Sequence, residues 1–271
     1  MACHHIITLT RHHDGVLPRG HDGQSTCLRA INPDCHPAIK LVRRQTIMKT
    51  IALISQKGGS GKTTTLLNLA VAAQQAGYSV LIVDLDLQAS STDWHKVRVD
   101  KSLHVQPTHP AGLPDLLKAA EGQGVDLVFI DTAAKTETDT AAAIEAADLV
   151  LITCRPSVMD LRAMRNTIRL CRVHEVTPHV VLTQIEPQGT LHIEARDTLD
   201  QLGVVVLDRG LGRRVAFHHS VIEGLGVTEY EPEGKAASEV RRLFIAVCQL
   251  AGVPSRHQGG TGKARRTEVT A

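Results

Sequence analysis

Aromatic residues make up only 2% of this 271-residue chain: one Trp, two Tyr and three Phe. A platform that stacks unpaired bases needs several rings, so that class of nucleic-acid binding is poorly served. The six Cys show no C-x-x-C spacing, which gives no support to an iron–sulfur protein or a closed zinc site. No apolar run approaches the ~18 residues that span a bilayer, and no secretory signal pattern is present. What remains is a hydrophobic fraction of 42%, enough for one aliphatic core in a soluble, cytoplasmic protein.

The informative run is Gln56-Lys57-Gly58-Gly59-Ser60-Gly61-Lys62-Thr63-Thr64. It follows the apolar Ile51-Ala52-Leu53-Ile54 and precedes a helical pattern over 66–73. Strand, glycine loop and helix form the context of a phosphate-binding loop. Glycines let backbone N–H groups crowd around phosphate oxygens, and the helix N-terminus adds partial positive charge. Gly58, Gly59, Ser60, Gly61, Lys62, Thr63 and Thr64 are therefore the expected nucleotide contacts. Lys62 would reach the β/γ-phosphates and the Thr63 hydroxyl would sit on Mg²⁺.

Two further apolar runs end in carboxylates: Val80–Asp84 followed by Leu85-Asp86, and Leu127–Asp131. In open α/β sheets ligands bind beyond the carboxyl ends of strands. Asp84, Asp86 and Asp131 should therefore lie beside the loop, where they can hold Mg²⁺, partly through water, or orient an attacking water.

The loop departs from G-x-x-x-x-G-K-[ST] by carrying Gln56 and a second lysine, Lys57. In this it resembles the deviant Walker A loop of the ParA/MinD family of ATPases. The segments 147–162 and 226–237 resemble small plasmid-type ParA proteins, and the resemblance runs over about 48–252. It implies that Lys57 crosses a homodimer to the partner's nucleotide. It also implies that Asp86, the second Asp of a D-x-D-x-Q segment, positions the water, with Asp84 and Asp131 on the metal side. Lys57 and Asp86 are then the catalytic pair, and ATP and Mg²⁺ the cofactors. The family also implies duplex DNA bound nonspecifically, a ParB-like adaptor and a nucleoid-associated location; no membrane partner is expected, because residues 255–271 offer no bulky apolar face. Leu87 and Ala133-Ala134 stand where the family usually has prolines, and Thr183 where it often has an adenine-reading Asn.

Strand-like runs at 79–84, 126–130, 148–153, 179–183 and 204–207 alternate with helical stretches. The expected fold is a single α/β domain over 48–252: a mostly parallel, twisted sheet with helices on both faces. Residues 1–47 hold six of the 15 His and three Cys without periodicity; they read as a disordered extension. Residues 253–271 read as a disordered basic tail.

The net charge of +2 is uneven. Residues 1–47 carry +3 and residues 255–271 carry +3, which leaves −4 for the remainder. DNA affinity would need a local patch. One candidate is Arg209, Arg213 and Arg214, with His218 and His219 nearby; the family's nonspecific DNA contacts carry onto it most directly at Arg214. The other is a stripe, Arg162, Arg165, Arg169 and Arg172, one step round a helix from the apolar Leu161, Met164, Ile168 and Cys171. Its bland reading is a solvated flank balanced by acids. The expected function is a ParA-type partition ATPase. The alternatives are a MinD-like positioning ATPase, an ATP-dependent biosynthetic enzyme of the cobyrinate-amidating type, and a nucleotide-binding scaffold without hydrolysis.

Overall fold

The computed structural model describes residues 47–86, 88–134 and 136–256. Nearly all of the expected extension, Leu87 and most of the expected tail lie outside the described residues.

Strand β1 (Lys49–Ile54) feeds the glycine loop and helix α1 (Lys62–Gln75). Then follow β2 (Val80–Asp84), α2 (Ser90–Val97), β3 (His104–Pro107), α3 (Leu113–Gly122), β4 (Leu127–Asp131) and α4 (Glu137–Ala146). The chain continues through β5 (Leu149–Cys154), α5 (Val158–Val173), β6 (His179–Leu182), α6 (Leu191–Gln201) and β7 (Val205–Val206). Helices α7 (Val215–Ile222), α8 (Val227–Tyr230) and α9 (Lys235–Ala251) come last.

The strands form one seven-stranded sheet in the order β3-β2-β4-β1-β5-β6-β7, and every pairing is parallel. The five expected strands beyond β1 are present as β2, β4, β5, β6 and β7. Strand β3 was not legible: His104-Val105-Gln106-Pro107 has one aliphatic residue and a proline, and it survives only because it is an edge.

Side chains alternate across each strand. Ile51 and Leu53 of β1 join a cluster with α1, α8 and α9, while Ala52 and Ile54 join a second cluster with α3 to α6. Burial on both faces is why the strand sequences are unbroken aliphatic runs. The low aromatic content shows here: among the ring-bearing core residues, Phe129 is fully buried and Trp94, Tyr78 and Phe244 are nearly so.

Helix α2 is fixed at its far end by Arg98, 1% exposed, whose guanidinium donates to both Glu229 oxygens at 2.7 and 2.8 Å and to the Gly224 carbonyl at 3.1 Å. Gly224 has φ +69, and a Cβ there would come within 2.5 Å of the Arg98 nitrogen. The chain can pass that close only as glycine. Asn68 of α1 accepts from Val227 N at 2.7 Å, so the helix behind the loop is tied to α8.

Cys154 and Cys171 are buried and Cys248 is half-buried, all as free thiols. Burial pushes Cys154 and Cys248 up to about 12 and Cys171 up to about 11. They fill space as expected and are unreactive near neutrality.

Candidate active site

Strand β1 lies between β4 and β5, where the chain's progress across the sheet changes direction. Ligands of open α/β sheets bind at such a crevice, and the glycine loop stands over it. Gly59 and Gly61 have φ +75 and +84, and a Cβ on Gly58 or Gly59 would meet nothing within 4 Å. Side chains there would fill the open cradle that phosphates need. No side chain caps α1, so its first N–H groups are left for an anion. The loop is braced from behind: Ser60 Oγ is 3.0 Å from Thr153 Oγ1, Thr183 Oγ1 donates to Ser60 O at 2.6 Å, and Gln184 Nε2 donates to Gly59 O at 2.8 Å.

Asp84 and Asp131 are register partners at the ends of β2 and β4. Lys62 Nζ donates to Asp131 Oδ1 at 2.8 Å, and Ser91 Oγ donates to Asp131 Oδ2 at 2.7 Å. Asp84 Oδ2 accepts from Thr92 N at 3.0 Å and Thr92 Oγ1 at 2.9 Å. Burial pushes the Asp84 carboxyl above its usual range, against the hydrogen bonds from Thr92. A divalent cation would reverse that cost by supplying charge. The described residues hold no cluster of three or more His, Cys, Asp and Glu. The donors that fit are two carboxylates, the half-buried Thr63 and the nucleotide's own phosphates. Such a sparse oxygen set suits Mg²⁺, which keeps several waters. Asp86, the expected water-positioning residue, is half-buried two residues past Asp84 off the same strand, its N donating to Asp84 Oδ1 at 3.1 Å and its Oδ1 accepting from Gln88 N at 2.9 Å.

Lys57 differs from its expected state. On the sequence it has no work within its own subunit; in the structure its ammonium rests on Asp160. Arg155 donates to the same carboxylate through Nε at 2.5 Å and Nη2 at 3.2 Å. Burial alone would raise the Asp160 carboxyl, but hydrogen bonds from Arg155 and Lys57 outweigh it and hold it below the usual range. Asp160 sits in the first turn of α5, whose N-cap Ser157 accepts from Asp160 N at 3.3 Å. An acid there also suits the helix dipole. Asp160, Arg155, Ser91 and Thr92 were missed on the sequence. Asp160 is 103 residues from Lys57, and only the fold joins them.

A cleft of about 350 Å³ opens beside the loop, lined by Gly61, Thr64, Thr183, Gln184, Phe217 and His218 among others. It has room for a base and sugar. The Thr183 hydroxyl is spent on the Ser60 carbonyl, so it braces the loop rather than facing the cleft as a free reader. Arg213 and Arg214 line the same cleft. Arg214 holds Glu239 at 2.5 Å and Arg213 holds Glu186 at 2.8 Å.

Taken with the parallel sheet, the cradle, the buried lysine and the paired strand-end carboxylates define a P-loop ATPase that uses ATP with Mg²⁺. The comparisons agree. Residues 51–227 match the model of the CobQ/CobB/MinD/ParA nucleotide binding domain. The maintenance of carboxysome distribution protein A of Gloeobacter kilaueensis is 32% identical over 207 residues, 74% of this chain and 93% of that protein. Its namesake from Halothiobacillus neapolitanus is 29% identical, over 73% of this chain and 95% of that one. The septum site-determining protein MinD of Pyrococcus horikoshii, solved with Mg-ADP, superposes with a TM-score of 0.63 at 21% identity, covering 76% of this chain and 98% of that one. The chain belongs to the CobQ/CobB/MinD/ParA nucleotide-binding family, within its ParA/MinD-type positioning ATPases.

Proposed function

We propose that this ATPase works as an ATP-driven dimer that spreads a cargo over duplex DNA. The observation that carries the reading is Lys57: a lysine at the mouth of the phosphate cradle, one third exposed, held by one ion pair at the rim. With ATP and Mg²⁺ bound, two subunits would meet face to face. Lys57 of each leaves Asp160 and meets the other's phosphates. Lys62 and the α1 N-terminus hold the subunit's own β/γ-phosphates. Asp84, Asp131 and Thr63 would hold the Mg²⁺, which would supply charge to offset the phosphates, and Asp86 aims the water. Transfer of the γ-phosphoryl group is then mainly positioning and charge neutralisation. Hydrolysis, helped by a ParB-like adaptor, removes the charge that held Lys57 across the interface, and the subunits part.

The two carboxysome-distribution relatives favour a protein-built cargo over a plasmid. Among the described residues no helix is long and apolar enough to cross a membrane.

Subunit mixing tests the crossing lysine. Lys57→Ala and Asp86→Ala should each be inactive as an ATPase. Mixed, they should regain part of the wild-type rate, because one of the two sites in a mixed dimer has its own Asp86 and a partner's Lys57. Absence of any recovery, with both variants still binding ATP, would contradict the reading.

A further inference from the structure

We infer that the exposed face of α5 is the surface on which the sugar–phosphate backbone of duplex DNA docks; the inference rests on the ATP-dimer reading above. Arg162, Arg165, Arg169 and Arg172 are all exposed. Among the described residues, Arg162, Arg165 and Arg169 form no ion pair or hydrogen bond, and Arg172 reaches only a backbone oxygen, Leu202 O at 2.9 Å. Six of the nine other described arginines are engaged by acids, while Arg241 and Arg242 meet only Pro232 O and Ser238 Oγ and Arg209 meets no partner among the described residues. Arg98, Arg155, Arg196, Arg213, Arg214 and Arg256 each hold a carboxylate. The balancing acids expected for a merely solvated flank are therefore not in place. Of the two acidic helices packed against α5, α6 exposes Asp197 and Asp200 and α4 exposes Glu137 and Glu145; none pairs with the stripe, and Glu145 instead lies 3.3 Å from His174. Asp160, the acid on α5 itself, is occupied by Lys57 and Arg155.

The chemistry of the stripe fits phosphates. Guanidinium groups take phosphate oxygens two at a time. From Arg162 to Arg172 the helix rises roughly 15 Å, about four phosphates of one DNA strand at their axial spacing. Exposed rings are lacking along it, so contacts stay on the backbone and carry no sequence information. For the pair Arg213 and Arg214, a phosphate would first have to displace Glu186 and Glu239. The stripe is open as it stands.

The position of the stripe gives the nucleotide dependence. Its N-terminal end abuts Asp160 and therefore Lys57, the residue proposed to cross the dimer. In the dimer both stripes begin at the shared face, and two weak sites on one particle bind far more tightly than one. Residues 48–254 sum to −4 even with the stripe counted, so the rest of that span adds no attraction of its own.

The test uses the full chain, ATP with Mg²⁺, and a random-sequence duplex followed by fluorescence anisotropy through a salt series. Wild type should bind, and weaken steeply between about 50 and 200 mM salt. The triple variant R162A/R165A/R169A should bind at least about tenfold more weakly, with the log–log salt slope shallower by about one for each lost contact. It should still dimerise with ATP by light scattering. The triple lysine variant should keep most of the affinity, which separates charge from fold. If the alanine variant dimerises and binds DNA like wild type, the surface serves something else, such as an acidic segment of a protein partner, and the inference fails while the dimer reading stands. If wild-type dimer binds no DNA, the DNA reading itself fails.

Discussion

Two lysine–aspartate pairs flank the phosphate loop, and they are built differently. Lys62 and Asp131 are 8% and 0% exposed, at 2.8 Å, with Ser91 on the second carboxylate oxygen. Lys57 and Asp160 are 35% and 3% exposed, and Arg155 shares the carboxylate. The first pair is sealed between α1 and β4. Removing one partner strands a charge in the interior. In the second, Asp160 keeps Arg155 when Lys57 leaves, and Lys57 can turn to water. The lesson is that the same two residue types make a fixed part of the site in one place and a releasable one in the other.

The comparison breaks most visibly at Asp131. Asp131→Ala should destabilise the nucleotide-free protein by about 3–5 kcal/mol in urea unfolding, because Lys62 stays buried without its partner. Asp160→Ala should cost about 1 kcal/mol or less, since both cations it releases are a third exposed and solvent screens them. Equal losses would erase the distinction.

Nucleotide binding should separate the lysines next. Lys62→Ala removes a charge-assisted contact of about 2–3 kcal/mol, so ATP affinity should fall roughly 30- to 150-fold in calorimetry. Lys57→Ala should leave ATP affinity of the monomer nearly unchanged. A smaller effect is expected of Asp160→Ala on association. Freed from its carboxylate, Lys57 no longer has to break a contact to cross, so dimerisation should need less ATP than in wild type.

The smallest effect concerns pH. The net shift of Asp160 is downward. A carboxylate depressed on folding contributes stability above its unfolded value of about 4, and that contribution disappears as pH falls through the folded value. Thermal unfolding of Asp160→Asn should therefore lose less Tm than wild type below about pH 4 and match its trend at neutral pH. Asp84, shifted upward by burial, acts with the opposite sign: its protonation on acidification relieves a cost.

Much of the site was legible because it is local. Loop, lysine and hydroxyl lie within nine residues, and a strand buried on both faces announces itself as an aliphatic run ending in Asp. The partners of those groups were not legible. Asp160 and Ser91 reach Lys57 and Asp131 across 103 and 40 residues, through the sheet order. Thr183 was read as standing at the family's adenine-reading position; its bracing of the loop was not legible, since only the fold brings a hydroxyl at the end of β6 onto the Ser60 carbonyl. The arginine stripe could be drawn from helical spacing, but whether acids neutralise it depended on which face α6 turns toward it. Strand β3 had too few apolar residues to show.

The measurement closest to the central claim is mass by light scattering in ATP and Mg²⁺ on three variants. Asp86→Ala, which should bind ATP without consuming it, is expected to double its mass with ATP and stay single with ADP. Asp86→Ala combined with Lys57→Ala should stay single in both, and Asp86→Ala combined with Asp160→Ala should double more readily. If the variant lacking Lys57 doubles its mass with ATP as fully as its parent, Lys57 does not cross between subunits and the account is contradicted.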